Sequence, residues 1–394
     1  MNNYPTYKLG DVADILDSFR KPINSTERTK RIQGKKENEL YPYYGATGQV
    51  GLIDEFLTDG EFVLVGEDGA PFLEPFKPKS YIIRGKAWVN NHAHILSGKK
   101  DVLSNQYLNY FLNSFDYRDY VNGTTRLKLT QGNLTQIPIP LPPIPTQHAI
   151  VSRIESLFAE LDKAVDKLKT AQQQLKTYKQ AVLNHWLNNE DGKWETVKLG
   201  EVAEKIFDGP FGTHLKSDDY VGSGVRVVRL ENIKAGYFDD SKKSFVTEEK
   251  YESIKRHTVY PSDLIMSTFI ADEVKICQMP EYVGFAVNKA DCIGIRLKQI
   301  ANTNYIKYYL SIRSVYRELE IQVHGATRPR VNTTQIKNIT VFLPPLPEQQ
   351  HIVAEIESRL SACDSMEKSI AQSLEQAEVL RQSILKKAFS GELV

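Results

Sequence analysis

Apolar residues recur with a seven-residue period along two segments of the chain, at about 150–190 and about 350–390. Sustained heptads of this kind predict coiled-coil helices rather than the apolar face of a single globular helix. We expect the two helices to pair with each other; the alternatives are that each packs on a partner protein or pairs between chains. The predicted seam residues are Ile154, Leu161, Leu168, Leu175, Val182, Ile356, Ile370, Leu374 and Ile384.

Each predicted helix follows a proline-rich boundary, LPPIPTQ at 141–147 and LPPLPEQ at 343–349. Proline cannot extend a helix backwards, so each boundary fixes where its helix begins. The similarity continues beyond the boundary, because residues 122–158 resemble residues 324–360, and YKLGDVADI near the start resembles VKLGEVAEK at 197–205. The chain is therefore interpreted as a tandem duplication with pseudo-twofold character.

The rest of each half has the pattern of a mixed α/β domain. Short runs rich in β-branched residues predict strands at 61–66, 80–85, 86–90, 225–230 and 292–297, and aromatic residues at helical spacing predict helices at 104–121 and 303–320. We predict two globular domains, 1–145 and 191–347, and two helical spacers, 146–190 and 348–394.

Composition changes this picture little. Of 394 residues, 41% are hydrophobic and 25% are charged, as in ordinary globular proteins. The chain has no apolar run of about 18 residues, as a membrane span requires, and its start does not resemble a signal peptide. A cytoplasmic location, away from membranes, is the expectation.

Positive charge is unevenly distributed, although the formal net charge is only +1. Residues 121–147 and 321–347 contain basic but no acidic residues. Residues 20–37 carry seven basic residues against two acidic ones. Such segments favour contact with phosphates, whereas a solvated basic loop is the alternative for 20–37.

Several stretches together resemble the DNA-specificity (S) subunits of type I restriction-modification systems. They are GTTR and GATR, the boundaries IPLPPIPTQ and FLPPLPEQQ, and the helix ends KQAVLNHWL and RQSILKKAF. YPYYGATGQVG with AWVNNHAHIL in the first half, and DGPFGTHLKSDDYVGSGVRVVRLENI in the second, resemble variants of that family's target-recognition domain. The resemblance covers almost the whole chain. It implies two target-recognition domains, each reading one half of a bipartite asymmetric DNA site, separated by an antiparallel two-helix coiled coil that acts as a ruler.

The same resemblance implies the partners. The helices would dock two modification subunits, which are methyltransferases that use S-adenosylmethionine, and restriction subunits would supply cleavage that depends on ATP and Mg. The chain itself is then expected to bind double-stranded DNA, to hold no cofactor or metal, and to have no catalytic residue. The sequence contains no GxxxxGK[ST] loop, no GxGxxG and no Asn-Pro-Pro-Tyr motif, which agrees with that expectation.

Candidate DNA contacts come from comparing the two halves. Arg126 and Arg328 occupy matching positions, which favours phosphate positioning, since base readers should differ between the halves. The loop around Glu67 and Asp68 is a further candidate. The predicted contacts are Tyr43, Tyr44, Thr47, Asn91, His92, Thr125, Arg126 and Lys128 in the first half, and His214, Lys216, Arg229, Asn232, Thr327, Arg328 and Arg330 in the second.

Two patterns imitate other kinds of site. Asp263, Glu273 and Lys275 have the order of a nuclease triad, but the first half has no counterpart. His92 and His94 form an HxH pair without an evident third zinc ligand. We expect neither site to be real.

A coiled-coil scaffold whose globular heads bind proteins is the alternative function. The near-neutral charge favours it and the acid-free segments oppose it. The missing motifs disfavour a third function, a self-sufficient nuclease or methyltransferase.

Overall fold

The computed structural model describes residues 4–189, 192–270, 272–323 and 329–393, without the side chain of Thr213. The chain forms two compact units. Unit 1 comprises Met1–Thr170 and Ile370–Val394, and unit 2 comprises Ala171–Ser369. Each unit therefore contains globular structure and a part of both predicted long helices.

Unit 1 is a mixed α/β unit, as predicted. Its strands are β1 (Thr6–Lys8), β2 (Ala13–Ile15), β3 (Tyr41–Gly45), β4 (Gly48–Ile53), β5 (Thr58–Gly66), β6 (Ser80–Val89), β7 (Ala93–Gly98) and β8 (Pro138–Pro140). Its shorter helices are α1 (Leu9–Val12), α2 (Ser25–Ile32), α3 (Asn105–Ser114) and α4 (Gln131–Thr135). The helix predicted at 104–121 thus ends at Ser114, and the strands predicted at 80–85 and 86–90 form one strand.

Six of these strands form one sheet, in the order β2-β7-β5-β6-β3-β4, and β1 pairs with β8. All neighbours in the sheet are antiparallel except β3 and β6, which are parallel. The main core of unit 1 joins strand residues such as Val63 and Leu96 to Leu108 and Leu112 of α3, all with 0% exposure. The sheet and α3 thereby support the loops at the strand ends.

A long helix, α5 (Ile144–Leu187), begins directly after Pro142 and Pro143 of the first boundary and has Pro145 in its first turn. Its first turn contains Gln147, which is fully buried. The Oε1 atom of Gln147 accepts a hydrogen bond from the backbone N–H of Ser104 at 2.9 Å, and Nε2 donates to the carbonyls of Val102 at 2.8 Å and Pro142 at 2.9 Å. One side chain thus satisfies three main-chain groups and fixes the helix start to the segment before α3.

Unit 2 has the same mixed architecture with more, shorter strands. They are β9 (Glu195–Lys198), β10 (Ala203–Asp208), β11 (Tyr220–Val221), β12 (Val225–Val228), β13 (Ser244–Val246), β14 (Thr258–Val259), β15 (Leu264–Ser267), β16 (Ile276–Gln278), β17 (Ala286–Asn288), β18 (Cys292–Leu297) and β19 (Thr340–Leu343). The shorter helices are α6 (Leu199–Val202), α7 (Glu248–Ile254), α8 (Thr303–Leu310), α9 (Arg313–Val323) and α10 (Thr333–Lys337). The sheets have the orders β10-β18-β15-β16 and β11-β13-β12-β17-β14, and β19 pairs with β9.

The second long helix, α11 (Leu346–Ser390), repeats the junction seen at α5. Gln349 is fully buried. It accepts from the N–H of Asn302 at 2.7 Å and donates to the carbonyls of Ile300 at 3.0 Å and Pro344 at 2.8 Å. The repeated proline boundary therefore ends in a glutamine that makes the same three bonds in each unit.

The heptad residues lie along the buried side of both helices. Ile154, Val182, Ile356, Ile370 and Ile384 are at most 8% exposed. Leu161, Leu168, Leu175 and Leu374 are half-buried. This alternation with exposed neighbours is the burial pattern of a coiled-coil seam.

In unit 1, α5 and α11 run antiparallel. Arg381 forms an ion pair with Asp162 and lies over the ring of Phe158 at 4.5 Å. Ile154, closer to the start of α5, shares a core with Ala388, closer to the end of α11. Residue numbers therefore rise along one helix as they fall along the other.

In unit 2 the same two helices are also antiparallel. The Nζ atom of Lys179 lies 2.7 Å from carboxylate oxygens of both Asp364 and Glu367. Further along α5, the ring of Trp186 lies 6.0 Å from that of His351, near the start of α11. Polar residues at seam positions thus form ion pairs between the helices, as register-setting residues do.

Candidate nucleic-acid interface

Three segments of unit 1 are joined by main-chain hydrogen bonds into one surface, which we name the unit 1 loop cluster (67–69, 90–92 and 122–129). The N–H of Glu67 donates to the His92 carbonyl at 2.7 Å, and the N–H of Leu129 donates to the Glu67 carbonyl at 2.7 Å. The N–H of Gly69 donates to the Leu127 carbonyl at 3.2 Å. The segment after β5 is therefore held between the turn after β6 and the repeated Thr-Arg segment.

Asp68 binds two of the candidate residues in this cluster. Its Oδ1 atom accepts from Nη2 of Arg126 at 2.8 Å and lies 2.7 Å from Nδ1 of His92. The side chain of Arg126 is 61% exposed and that of Asp68 is 22% exposed. The guanidinium is thus accessible to a ligand but already carries a carboxylate partner.

Glu67 forms a second group of ion pairs, next to that of Asp68. It forms ion pairs with Arg20 and, at 3.0 Å, with Lys128. Burial alone would raise the pKa of Glu67, but the hydrogen bonds from Arg20 and Lys128 outweigh it and lower the pKa below its ordinary value. Glu67 is therefore held as a carboxylate, and Arg20 links the basic segment 20–37 to the loop cluster.

Unit 2 repeats the main-chain arrangement in its own loop cluster (268–269, 289–291 and 329–331). The N–H of Thr268 donates to the Asp291 carbonyl at 2.9 Å, and the N–H of Val331 donates to the Thr268 carbonyl at 2.9 Å. These bonds correspond to those of Glu67 with His92 and Leu129. The segment after β15 is again held between a turn and the repeated Thr-Arg segment.

The side chains of the unit 2 loop cluster are different. Arg330 pairs with Asp291 at 3.2 Å and lies over the ring of Phe269 at 4.4 Å. Lys289 donates to the hydroxyl of Tyr220 at 2.9 Å. Where unit 1 has two acidic residues after β5, unit 2 has threonine and phenylalanine, so its cation is supported by an aromatic ring as well as a carboxylate.

The other predicted contacts of unit 1 differ in exposure. Thr47, Asn91 and Thr125 are exposed and Tyr44 is half-buried. Tyr43 is only 2% exposed, because its ring lies under the guanidinium of Arg28 at 4.7 Å and its hydroxyl donates to a backbone carbonyl. Its burial contradicts the prediction that Tyr43 contacts DNA.

In unit 2, His214 and Lys216 are exposed on the segment before β11, and Arg229 lies over the ring of Tyr220 at 5.6 Å. Asn232 is 1% exposed and donates to the carbonyls of Asp239 and Lys242, while its Oδ1 accepts from the N–H of Arg229 at 2.9 Å. The structure contradicts a direct DNA contact for Asn232, which instead shapes the loop that carries Arg229. Thr327 and Arg328 lie outside the described residues.

Sequence reasoning missed Phe269, Lys289 and Asp291 of the unit 2 loop cluster. A signal was present: WVNNHAH at 88–94 and AVNKADC at 286–292 share a Val-Asn pair 198 positions apart. The asparagine of each pair is nearly or fully buried in the turn. Aligning the halves on that pair would have placed Lys289 and Asp291 beside the Thr-Arg segment.

The residues that imitate other sites have structural partners. Asp263 is buried and accepts two hydrogen bonds from Arg296, at 3.0 and 2.7 Å. His94 is fully buried between Asp17, at 2.6 Å, and the carbonyl of Leu129, at 2.8 Å. In the part of the chain that the structure describes, no group of three or more His, Cys, Asp or Glu residues could hold a metal ion. No helix there has the length and apolar character needed to cross a membrane.

The family model of the type I restriction modification DNA specificity domain matches this chain twice, over residues 1–171 and 191–376. These two matches correspond to the two copies of the internal repeat. The family model therefore matches each copy of the tandem repeat separately.

Two bacterial specificity subunits are similar to most of this chain. A putative type I restriction enzyme specificity subunit of Haemophilus influenzae is 26% identical over 382 residues, which cover 94% of this chain and 91% of that protein. The EcoKI specificity subunit of Escherichia coli is 26% identical over 73% of this chain and 65% of its own length.

Solved structures share the fold. A chain from a structure of the type I R-M system, concerned with its complex assembly and conformational transition, has a TM-score of 0.71 at 17% identity and covers 99% of this chain and 98% of its own length. The HsdS subunit from Thermoanaerobacter tengcongensis has a TM-score of 0.50 at 16% identity, over 100% of this chain and 98% of its own length.

Proposed function

The chain belongs to the type I restriction-modification DNA specificity family, and from that premise we propose that each unit reads one half of a bipartite, asymmetric site on double-stranded DNA. The observation that carries the proposal is the pair of loop clusters. Both share two corresponding main-chain hydrogen bonds but present different exposed side chains. A repeated scaffold with different polar groups is what a protein needs to recognise two different base sequences.

The exposed groups divide by role. Arg126, Lys128 and Arg330 are cations on the repeated Thr-Arg segment and meet phosphates in this proposal. Arg328 belongs to the same segment by sequence. The base readers are polar side chains that differ between the units: Thr47, Asn91 and His92 in unit 1, and His214, Lys216, Arg229 and Lys289 in unit 2.

The long helices serve as ruler and docking surface for two modification subunits. Both helices contribute to both units, so the helical segments connect the two readers. Their outer faces carry large apolar residues that are about half exposed: Tyr178, Met366, Val379 and Leu380. Exposed apolar side chains on a helix pair are suited to a protein partner, because burying them removes apolar surface from water.

The chemistry lies in other subunits in this proposal. The modification subunits bind S-adenosylmethionine and methylate the DNA, and restriction subunits, where present, use ATP and Mg. The polar clusters that imitate catalytic sites are occupied here by structural partners, such as Arg296 on Asp263 and Asp17 on His94. The chain contributes recognition and geometry.

Methylome sequencing tests the proposal directly. A strain with this chain should contain a split, adenine-methylated motif with a fixed spacer, and the motif should disappear when the gene for this chain is deleted and return when it is restored. A matched control restores the chain with the exposed Arg118→Ala substitution, which should recover the motif. A methylome that is the same with and without the chain contradicts the proposal.

A further inference from the structure

A carboxylate on a neighbouring loop holds a cation of the Thr-Arg segment in each unit. In unit 1, Asp68 binds Arg126 at 2.8 Å. In unit 2, Asp291 binds Arg330 at 3.2 Å. The carboxylates come from different loops of the two clusters, since Asp68 follows β5 and Asp291 precedes β18. The same pairing has thus been reached with different residues.

A phosphate and a carboxylate compete for the same guanidinium. Each cation that contacts a phosphate contributes about 0.9 to the slope of log K against log salt concentration. An Arg that stays bound to its carboxylate does not make this contribution, and the carboxylate itself repels the phosphates nearby. The protein therefore binds less tightly to a duplex that it can contact only through phosphates.

A target duplex offers the carboxylate a second partner. In the major groove, Asp and Glu accept hydrogen bonds from exocyclic amino groups, and the cytosine N4 amino group is the usual match. Asp68 and Asp291 remain accessible, with side chains 22% and 24% exposed. A carboxylate that exchanges Arg for an amino group releases the cation to a phosphate without becoming unpaired.

We infer that Asp68 and Asp291 are specificity-determining carboxylates that pair with Arg126 and Arg330 in free protein and with a base amino group in the target complex. The inference rests on the proposed function. The exchange is unfavourable on DNA without the amino group, so these residues suppress binding to non-target duplexes.

The test uses the full chain with Asp68→Asn or Asp291→Asn. Asparagine keeps the shape and removes the charge, and at Asp291, where φ is +73°, asparagine tolerates the left-handed backbone. Binding is measured by fluorescence anisotropy, over a series of salt concentrations, on two duplexes of equal length: one with the motif found by methylome sequencing and one with its half-sites scrambled.

Each variant should bind the scrambled duplex about tenfold more tightly than wild type, with a salt slope steeper by about 0.9. Affinity for the motif duplex should not increase, so the ratio between the two duplexes falls about tenfold. Asp68→Asn combined with Arg126→Gln should return scrambled-duplex binding to the wild-type level, because the effect acts through Arg126.

The controls are Asp116→Asn in unit 1 and Glu252→Gln in unit 2, which remove exposed carboxylates from ion pairs with Arg118 and Lys255. They make the same change in net charge and should leave the ratio unchanged. Unaltered scrambled-duplex binding in both Asp variants, or an equal rise on both duplexes, overturns the inference. A wild-type protein without preference for the motif duplex contradicts the proposed function instead.

Discussion

The loop clusters of the two units share two corresponding main-chain hydrogen bonds and differ in charge. In unit 1, the segment after β5 presents Glu67 and Asp68, which pair with Lys128 and Arg126. In unit 2, the corresponding segment presents Phe269, which supports Arg330 from below its guanidinium plane at 4.4 Å. The comparison teaches that backbone scaffold and recognition side chains are separable, because the two shared bonds join main-chain groups only.

The junctions with the long helices show the opposite relation. Gln147 and Gln349 make matching sets of bonds to one N–H and two carbonyls. Here the side chain itself belongs to the repeated scaffold. Substitutions at the junctions should therefore affect both units alike, whereas substitutions in the loop clusters should have effects that depend on the unit.

The largest effect is expected from Gln349→Leu and Gln147→Leu. Each change removes three hydrogen bonds of a fully buried side chain, of which the bond to the carbonyl of Pro142 or Pro344 is itself buried, and this should lower the free energy of unfolding by about 3–5 kcal/mol. Chemical denaturation of the full chain measures this loss. The control is Gln350→Leu, one residue along and exposed. Very different losses for Gln147 and Gln349 would break the equivalence of the two junctions.

The seam gives the next largest effect. Ile154→Ala and Ile356→Ala remove side chains that are fully buried at equivalent heptad positions, and each should cost about 3 kcal/mol. Leu168→Ala, at a half-buried position further along α5, should cost about 1 kcal/mol. Denaturant midpoints order the three variants. A cost at Leu168 as large as at Ile154 would contradict the difference in burial between these two seam positions.

DNA binding should respond more modestly to the loss of one cation. Arg126→Ala should weaken binding to the motif duplex about tenfold and reduce the salt slope on that duplex by about 0.9, because a phosphate contact is lost, and it should change scrambled-duplex binding little, because Arg126 stays paired with Asp68 there. Arg330→Ala tests whether the corresponding segment of unit 2 acts in the same way. Arg118→Ala, exposed and paired with Asp116, is the control. Altered base preference at unchanged affinity would assign Arg126 to base reading instead.

The smallest expected effect is a pH dependence confined to unit 2. Burial lowers the pKa of His257 below its ordinary value of 6.5, although the hydrogen bond between Nδ1 and the Asp208 carbonyl acts the other way. Its Nε2 accepts from Arg256 at 2.9 Å, which requires the neutral ring. Because the unfolded chain binds the proton more readily, this stability is complete above about pH 6.5 and decreases as the pH falls towards the folded-state pKa.

Unfolding midpoints at neutral and mildly acidic pH check the role of His257. His257→Gln should flatten the decrease below about pH 6.5, whereas His148→Gln, at an exposed position, should leave the decrease unchanged. Equal pH dependence in wild type and His257→Gln would show that another group is responsible.

The sequence by itself determined the repeat, the heptad seam and the family, because these depend on spacing along the chain. The proline boundary and the period of apolar residues identified both long helices. The strand predicted at 292–297 matches β18 residue for residue. The division of the chain into four parts stays a prediction, since the compact units combine globular and helical segments.

Tertiary structure alone decided the charge and exposure of the candidate site. The acid-free segments predicted free cations, but Arg126 meets Asp68 from 58 residues away and Arg330 meets Asp291 from 39 residues away. The burial of Tyr43 likewise involves partners from another segment, Ile23 and Arg28. Local composition sums charges along the chain, whereas electrostatic pairing depends on distance in space, which only the folded backbone fixes.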